Sequence, residues 1–253
     1  MNKQRYYDST IEAPPATIDT YYADVSYRIM LNEISKIGTP PLDILDVGCG
    51  EGLLGSLLLK EHRVCGVDIH KEKVDRCKAK GINAELVAPG AKLPYENERF
   101  DIVACCQVLE HLMEPQDTIA EIKRVLKTGG YLIATVPNMY DLRTRLLFPF
   151  GVKTKITYGS NLGHIRFFSK NTFTELIKNE GFEICMNTSY LFTHYAVKAI
   201  ALICYIISFV RNPFDLKGLR LRKQNIMNSF DFFLSKMFGF TDFGCDLLIL
   251  AKK

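Results

Sequence analysis

The chain has 253 residues, 47% of them hydrophobic and 24% charged, with a net charge of +4. That length and balance fit one doubly wound domain, alone or with a sizeable insertion, able to bury a core without covalent staples. The small positive charge argues against a dedicated nucleic-acid binder, which concentrates a basic face.

The N-terminus, MNKQRYYDSTIEAPP, has no apolar signal core. Near Tyr21 to Ile37 apolar residues at Val25, Ile29, Ile34 and Ile37 predict a helix, ended by Gly38 and Pro40-Pro41. Strands and helices then alternate. LDILDV (42–47) is a buried strand running into glycines, and Leu53 to Lys60 reads as a helix. Val64 to Asp68 is a second strand, Lys71 to Lys80 a polar helix closed by Gly81, and Ile82 to Val87 a third strand. Phe100 to Cys106 is a fourth strand, and Pro115 to Lys127 a helix with Ile119, Ile122, Val125 and Leu126 on one face. Tyr131 to Val136 is a fifth strand, stopped by Pro137. Strands that are nearly continuous apolar runs between helices predict a mostly parallel sheet covered on both faces.

Strict alternation ends there. Residues 138–170 are loop-rich, Asn171 to Gly181 reads as a helix started by Ser169 or Asn171, and Phe182 to Tyr190 as a sixth strand. Ala199 to Val210 is an apolar run of about a dozen residues, short of the roughly 20 that span a bilayer. The basic stretch KGLRLRK (217–223) follows, and CDLLILA (245–251) is a last strand. The expected organisation is an N-terminal helical lid (1–41), a core (42–190), a helical cap insertion (191–242) and a final core strand (243–253). Several of the eight cysteines sit inside apolar runs and read as small buried hydrophobes. No CxxC pair occurs, and a reducing cytoplasm is the expected compartment.

The first strand runs into Asp46-Val47-Gly48-Cys49-Gly50-Glu51-Gly52. Glycines at alternate positions let the chain turn sharply and let a ligand approach the backbone. In an open α/β sheet that strand end lies at the binding crevice. About 20 residues on, at the end of the second strand, Asp68 can accept from both hydroxyls of a ribose. The GxGxG spacing differs from the GxGxxG that presents a helix N-terminus to a pyrophosphate. S-adenosylmethionine has no phosphate, and Asp46 suits its ammonium group.

ILDVGCGEG (44–52), GVDI (66–69), LPYENERFDIV (93–103), VLEHL (108–112), RVLKTGGYLIATVPN (124–138) and GHIRFFSKNTFTELIKNEGFEI (163–184) occur in that order. Together they resemble a class I S-adenosylmethionine-dependent methyltransferase, of the branch that holds the quinone-biosynthesis O-methyltransferases and other small-molecule enzymes. The resemblance implies a Rossmann-like sheet of seven strands, the last antiparallel, and methyl transfer to a small-molecule acceptor. It places the cofactor on Asp46, Gly48, Gly50 and Gly52, on Asp68 and Ile69, and on Cys106 and Gln107 at its methionine end. Relatives carry an acid before the LPY element. Here Val87-Ala88-Pro89-Gly90-Ala91 has none, which moves the adenine contact to the backbone near Gly90 and Ala91.

Methyl transfer to a hydroxyl benefits from a general base, and histidine suits that near neutral pH. His111, after Glu110, and His164, in GHIRFF, are the catalytic candidates. Each has an alternative use in ordering its loop. One Glu-His pair does not make a metal site, and none is assigned. Arg166 is a candidate for an acidic substrate group or a local ion pair, and Tyr6, Tyr7, Tyr21 and Tyr22 for a lid or for helix packing. For 199–223, cap or homodimer packing stands beside peripheral contact with anionic lipid. Transfer to nitrogen or carbon on the same fold, and cofactor binding without turnover, are the alternatives to O-methylation.

Overall fold

The apolar runs between glycines fold as strands of one sheet. The computed structural model describes residues 20–141, 144–145, 163–190 and 246–253, with side chains in the first helix from Ser26 onward. The elements are α1 (Thr20–Ile37), β1 (Asp43–Val47), α2 (Leu53–Leu58), β2 (Arg63–Asp68), α3 (Lys71–Ala79), β3 (Asn83–Leu86) and β4 (Phe100–Cys106). A single 3-10 turn (Leu109–His111) precedes α4 (Pro115–Val125) and β5 (Leu126–Pro137), followed by α5 (Lys170–Asn179), β6 (Glu183–Tyr190) and β7 (Asp246–Lys252). The sheet order is β3-β2-β1-β4-β5-β7-β6. β1 to β5 pair in parallel, and β7 runs antiparallel to both β5 and β6. This is the Rossmann-like seven-stranded architecture that the motifs imply.

Successive strand residues point to opposite faces, and each face has its own core. Ile44, Ile102, Ile133 and Leu248 join Met30 and Ile34 of α1, Leu54 and Leu58 of α2, and Val74 and Cys77 of α3. Leu45, Val103, Leu132 and Ile249 join Ile119 and Ile122 of α4 and Phe173 and Ile177 of α5. Most of these are fully buried, and each such aliphatic side chain stabilises the fold by about 1.5–3 kcal/mol of transfer free energy. Burial on both faces is why the central strands read as unbroken apolar runs rather than alternating ones.

Two boundaries differ from expectation. α4 stops at Val125, and β5 begins at Leu126 rather than Tyr131. Leu126 pairs with Phe100, and the pairing then shifts so that Tyr131 meets Ile102. Lys127–Gly130 fill that irregularity, with Gly129 at φ 79°. The Gly-Gly pair therefore turns the chain inside a strand instead of closing a helix. Ser169 is the start of α5: its hydroxyl accepts from the Thr172 amide while Thr172 Oγ1 accepts from the Ser169 amide. That reciprocal cap satisfies two donors at the helix end.

Because β7 is antiparallel, its first residue, Asp246, lies at the same sheet edge as the carboxyl ends of β1, β4 and β5, in register with Tyr190 and Pro137. Residues 1–19, most of the 138–165 loop region, the apolar run 199–210 and the basic stretch 217–223 lie outside the described residues, and with them the expected cap insertion and Tyr6 and Tyr7. No helix among the described residues is long and apolar enough to cross a membrane.

Candidate active site

The glycine loop leaves β1 at the crevice edge and is tied back to the neighbouring strand. The Gly48 and Cys49 amides both donate to the Val67 carbonyl at 2.8 and 3.0 Å. Gly48 (φ 75°) and Gly52 (φ 68°) have left-handed backbone. A Cβ at Gly48 would stand 2.3 Å from Val108 Cγ2, and one at Gly52 2.8 Å from Ile82 Cδ1. Both positions therefore need glycine for conformation and for space.

α3 holds the loop from behind. The Cys77 thiol donates to the Gly50 carbonyl at 3.3 Å, Arg76 pairs with Glu51 at 2.7 Å, and Lys80 donates to the Glu51 carbonyl. Glu51 is thus an anchor of the loop.

Two buried carboxyls flank the loop. Asp46 is 3% exposed, and burial, with the neighbouring Asp68 second, pushes its pKa up to about 7. Among the described residues no cationic side chain offsets that rise. Asp68 Oδ2 accepts from the Gly50 amide at 2.9 Å, which fixes the carboxylate beside the loop. Ile69 packs at the margin of the second-face core. Val87 donates to the Asp68 carbonyl, which brings the 87–91 turn next to β2. Gly90 (φ 70°) and Ala91 are exposed in that turn. The Cys106 side chain packs on Met30 of α1 (Sγ–Sδ 3.4 Å). Gln107 adopts φ 54°, unusual for a residue with a side chain, and its amide donates to the Thr135 carbonyl.

Across the crevice, His111 and His164 meet although 53 positions separate them. Their rings stand 4.8 Å apart, edge to face. The segment after Gly163 is clamped to the 3-10 turn: the Ile165 and Arg166 amides both donate to the Glu110 carbonyl at 3.0 Å. Arg166 donates through its guanidinium to the carbonyls of Leu112 and Met113. The expected substrate or ion-pair role of Arg166 gives way to a backbone clamp.

His111 Nδ1 lies 3.1 Å from the Gly163 carbonyl. A carbonyl only accepts, so Nδ1 carries the proton and Nε2 is bare. Burial lowers the pKa of His111, and burial followed by the His111 charge pushes His164 down to about 4. Both imidazoles are neutral at pH 7.

Glu110 completes this corner, and sequence reasoning treated it only as a neighbour. It is fully buried, and among the described residues neither carboxyl oxygen has a hydrogen-bond partner. Burial pushes its pKa up to about 8. Its Oε1 lies 3.9 Å from His111 Nε2, and polar atoms of Glu110, His111 and His164 all fall within 4.8 Å of one another. The signal was the acid inside VLEHL, on a turn whose other polar groups are used. Tyr190 and Asp246 also join the crevice edge. The Tyr190 side chain is buried there, and burial pushes Asp246 up to about 7. No sequence spacing links these two to the glycine loop.

Ligands of a zinc or magnesium ion sit about 3–3.5 Å apart, given metal–ligand bonds near 2.0–2.1 Å. The Glu110–His111–His164 group would have to draw closer to hold one. A single oxygen about 2.8 Å from each of two groups at a tetrahedral angle separates them by about 4.6 Å. The spacing suits a hydrogen-bonded hydroxyl.

An open α/β sheet with a glycine loop at the end of its first strand, a buried acid before the loop and a second acid at the end of the next strand has the frame of a nucleoside-cofactor protein. Residues 45–134 match the family model described as a methyltransferase domain. A protein of Mycolicibacterium smegmatis named as a probable S-adenosylmethionine-dependent methyltransferase is 31% identical over 144 residues, 56% of this chain and 52% of its own. The ubiquinone biosynthesis O-methyltransferase of Coxiella burnetii is 35% identical over 101 residues, 38% of this chain and 43% of its own. The chain spans about half the length of these relatives. In fold it is similar to an S-adenosylmethionine-dependent methyltransferase of Thermotoga maritima, with a TM-score of 0.58 at 16% identity over 92% of this chain and 89% of that one. The chain belongs to the class I S-adenosylmethionine-dependent methyltransferases.

Proposed function

We propose that the chain transfers the methyl group of S-adenosylmethionine to a hydroxyl oxygen of a small-molecule acceptor. The observation that carries this reading is the seat formed by Glu110, His111 and His164. A hydroxyl oxygen placed there has one proton to give and two lone pairs to fill. His111 Nε2, bare because Nδ1 donates to Gly163, accepts the proton. Glu110, raised to about 8, is mostly protonated at pH 7 and donates to the oxygen, and a neutral His164 has one N–H to offer. Three neutral groups thus meet the hydrogen-bonding pattern of a neutral hydroxyl, and proton removal as the methyl transfers makes the oxygen a better nucleophile.

The donor supplies an electrophilic methyl on a sulfonium. Asp46 fits its ammonium group, since a buried carboxyl raised to about 7 gains most from a cation brought beside it. The glycine loop provides an approach free of side chains, and Asp68 fits the ribose. Ile69, Gly90 and Ala91 line the adenine side, and the backbone of Cys106 and Gln107 the methionine end. The hydroxyl-methylating relative supports the same acceptor atom.

The test is transfer of a labelled methyl from S-adenosylmethionine to matched acceptors that carry a phenolic or alcoholic hydroxyl, an amine or a thiol at the same position. Label in the hydroxyl series, as a base-stable ether, supports the reading. Label confined to amines overturns the choice of oxygen, and donor binding without transfer to any series overturns turnover.

A further inference from the structure

The N-cap of α3 is a histidine that does not cap. His70 has the extended backbone of an N-cap (φ −98°, ψ 116°) but makes no side-chain hydrogen bond to the helix. Serine, threonine, aspartate and asparagine are the residues that stabilise this position, by accepting from the first-turn amides. His70 turns the other way. Its Nδ1 lies 2.9 Å from Asp68 Oδ1, and its own amide donates to the same oxygen at 2.9 Å. A carboxylate only accepts, so Nδ1 bears the proton in this contact. The His70 side chain is 25% exposed and that of Asp68 6%, so the bond is shielded on its Asp68 side.

Asp68 is thereby held at both ends. Oδ1 receives two donors from His70, and Oδ2 receives the Gly50 amide. Carboxylate oxygens offer about four lone-pair sites, so three fixed donors leave one site open, on Oδ2, and set the plane of the group. Among the described residues no lysine or arginine pairs with Asp68, and the imidazole is the side chain that decides where the carboxylate points.

The geometry points to His70 as a positioning residue for the methyl donor: through Nδ1 it orients Asp68 so that the open site on Oδ2 faces one ribose hydroxyl. This rests on the reading of Asp68 as the ribose carboxylate. It gives α3 two duties at one site. The helix start aims the acid, while Arg76, Cys77 and Lys80 near its end hold the glycine loop.

The experiment is titration of S-adenosylhomocysteine into the full chain, wild type and the variants His70→Ala, His70→Asn, Asp68→Ala and the double variant, with melting temperatures recorded for each. His70→Ala should weaken binding about three- to tenfold, the scale of one lost hydrogen bond felt through Asp68. His70→Asn, whose amide N–H stands where Nδ1–H does, should recover to within about twofold of wild type. In the Asp68→Ala background His70→Ala should change affinity by less than about twofold, because a residue acting through Asp68 has nothing left to act on. A merely structural histidine would cost the same in both backgrounds and follow the melting temperature. That outcome, or unchanged affinity in His70→Ala while Asp68→Ala binds weakly, overturns the role of His70 alone. Unchanged affinity in Asp68→Ala overturns the ribose reading and this inference with it.

Discussion

Replacing Asp46 with asparagine keeps the shape of the side chain and removes its charge. In the folded protein burial and Asp68 hold the Asp46 pKa at about 7, against an ordinary 3.8. Between those two values the folded state binds a proton that the unfolded chain has lost, so stability falls as pH rises through that window. One pKa unit corresponds to about 1.36 kcal/mol, which makes the full penalty about 4 kcal/mol above pH 7 and the part incurred between pH 5 and pH 8 about 2–3 kcal/mol. Glu110 and Asp246, also raised by burial, act in the same direction, so the difference between wild type and variant isolates Asp46. Urea denaturation at pH 5 and pH 8 should show Asp46→Asn losing about 2–3 kcal/mol less than wild type over that interval. The donor's ammonium favours the ionised acid, so wild-type affinity for S-adenosylhomocysteine should fall about tenfold from pH 8 to pH 6, with proton release on binding near neutrality. Asp46→Asn should bind more weakly at pH 8 and lose that dependence. Equal pH slopes of stability in the two proteins would refute the uncompensated burial of Asp46. A wild-type affinity flat from pH 6 to 8 would refute its pairing with the donor.

Asp68→Ala should weaken donor binding by about 1–3 kcal/mol, measured by calorimetry. His111→Ala and Glu110→Ala should each lower the rate of methyl transfer by about 10²-fold or more while sparing S-adenosylhomocysteine affinity. Loss of donor binding in either would place that residue on the cofactor instead. Gly48→Ala meets both a left-handed backbone (φ 75°) and Val108 Cγ2 at 2.3 Å, so it should abolish detectable donor binding. Adding Val108→Ala should restore part of the stability but not the binding, since the φ constraint remains. Ser169→Ala should cost about 1 kcal/mol of stability by chemical denaturation and leave donor affinity unchanged, because the cap it removes lies in α5, away from the glycine loop.

The linear sequence determined what depends on neighbours within a few residues. Apolar runs of strand length, the glycines at 48, 50 and 52 and Asp68 at the end of the second strand set the α/β alternation and the glycine-loop end of the crevice. These signals are legible because backbone sterics and strand periodicity act locally. The β5 start was misplaced for the converse reason: Gly129-Gly130 is a helix stop by local rules, yet pairing with Phe100 drew Leu126 into the sheet. Only the tertiary structure could bring Glu110, His111 and His164 into one corner. Ile165 and Arg166 dock on the Glu110 carbonyl, which brings His164 against His111 and leaves Nε2 of His111 facing an acid with no hydrogen-bond partner among the described residues. It also placed Asp246 at the crevice edge, by inserting the last strand antiparallel between β5 and β6. The physical reason is common to these cases. Burial raised Glu110, Asp46 and Asp246 and lowered His164, and burial follows from how distant segments pack, which residue type and spacing do not encode.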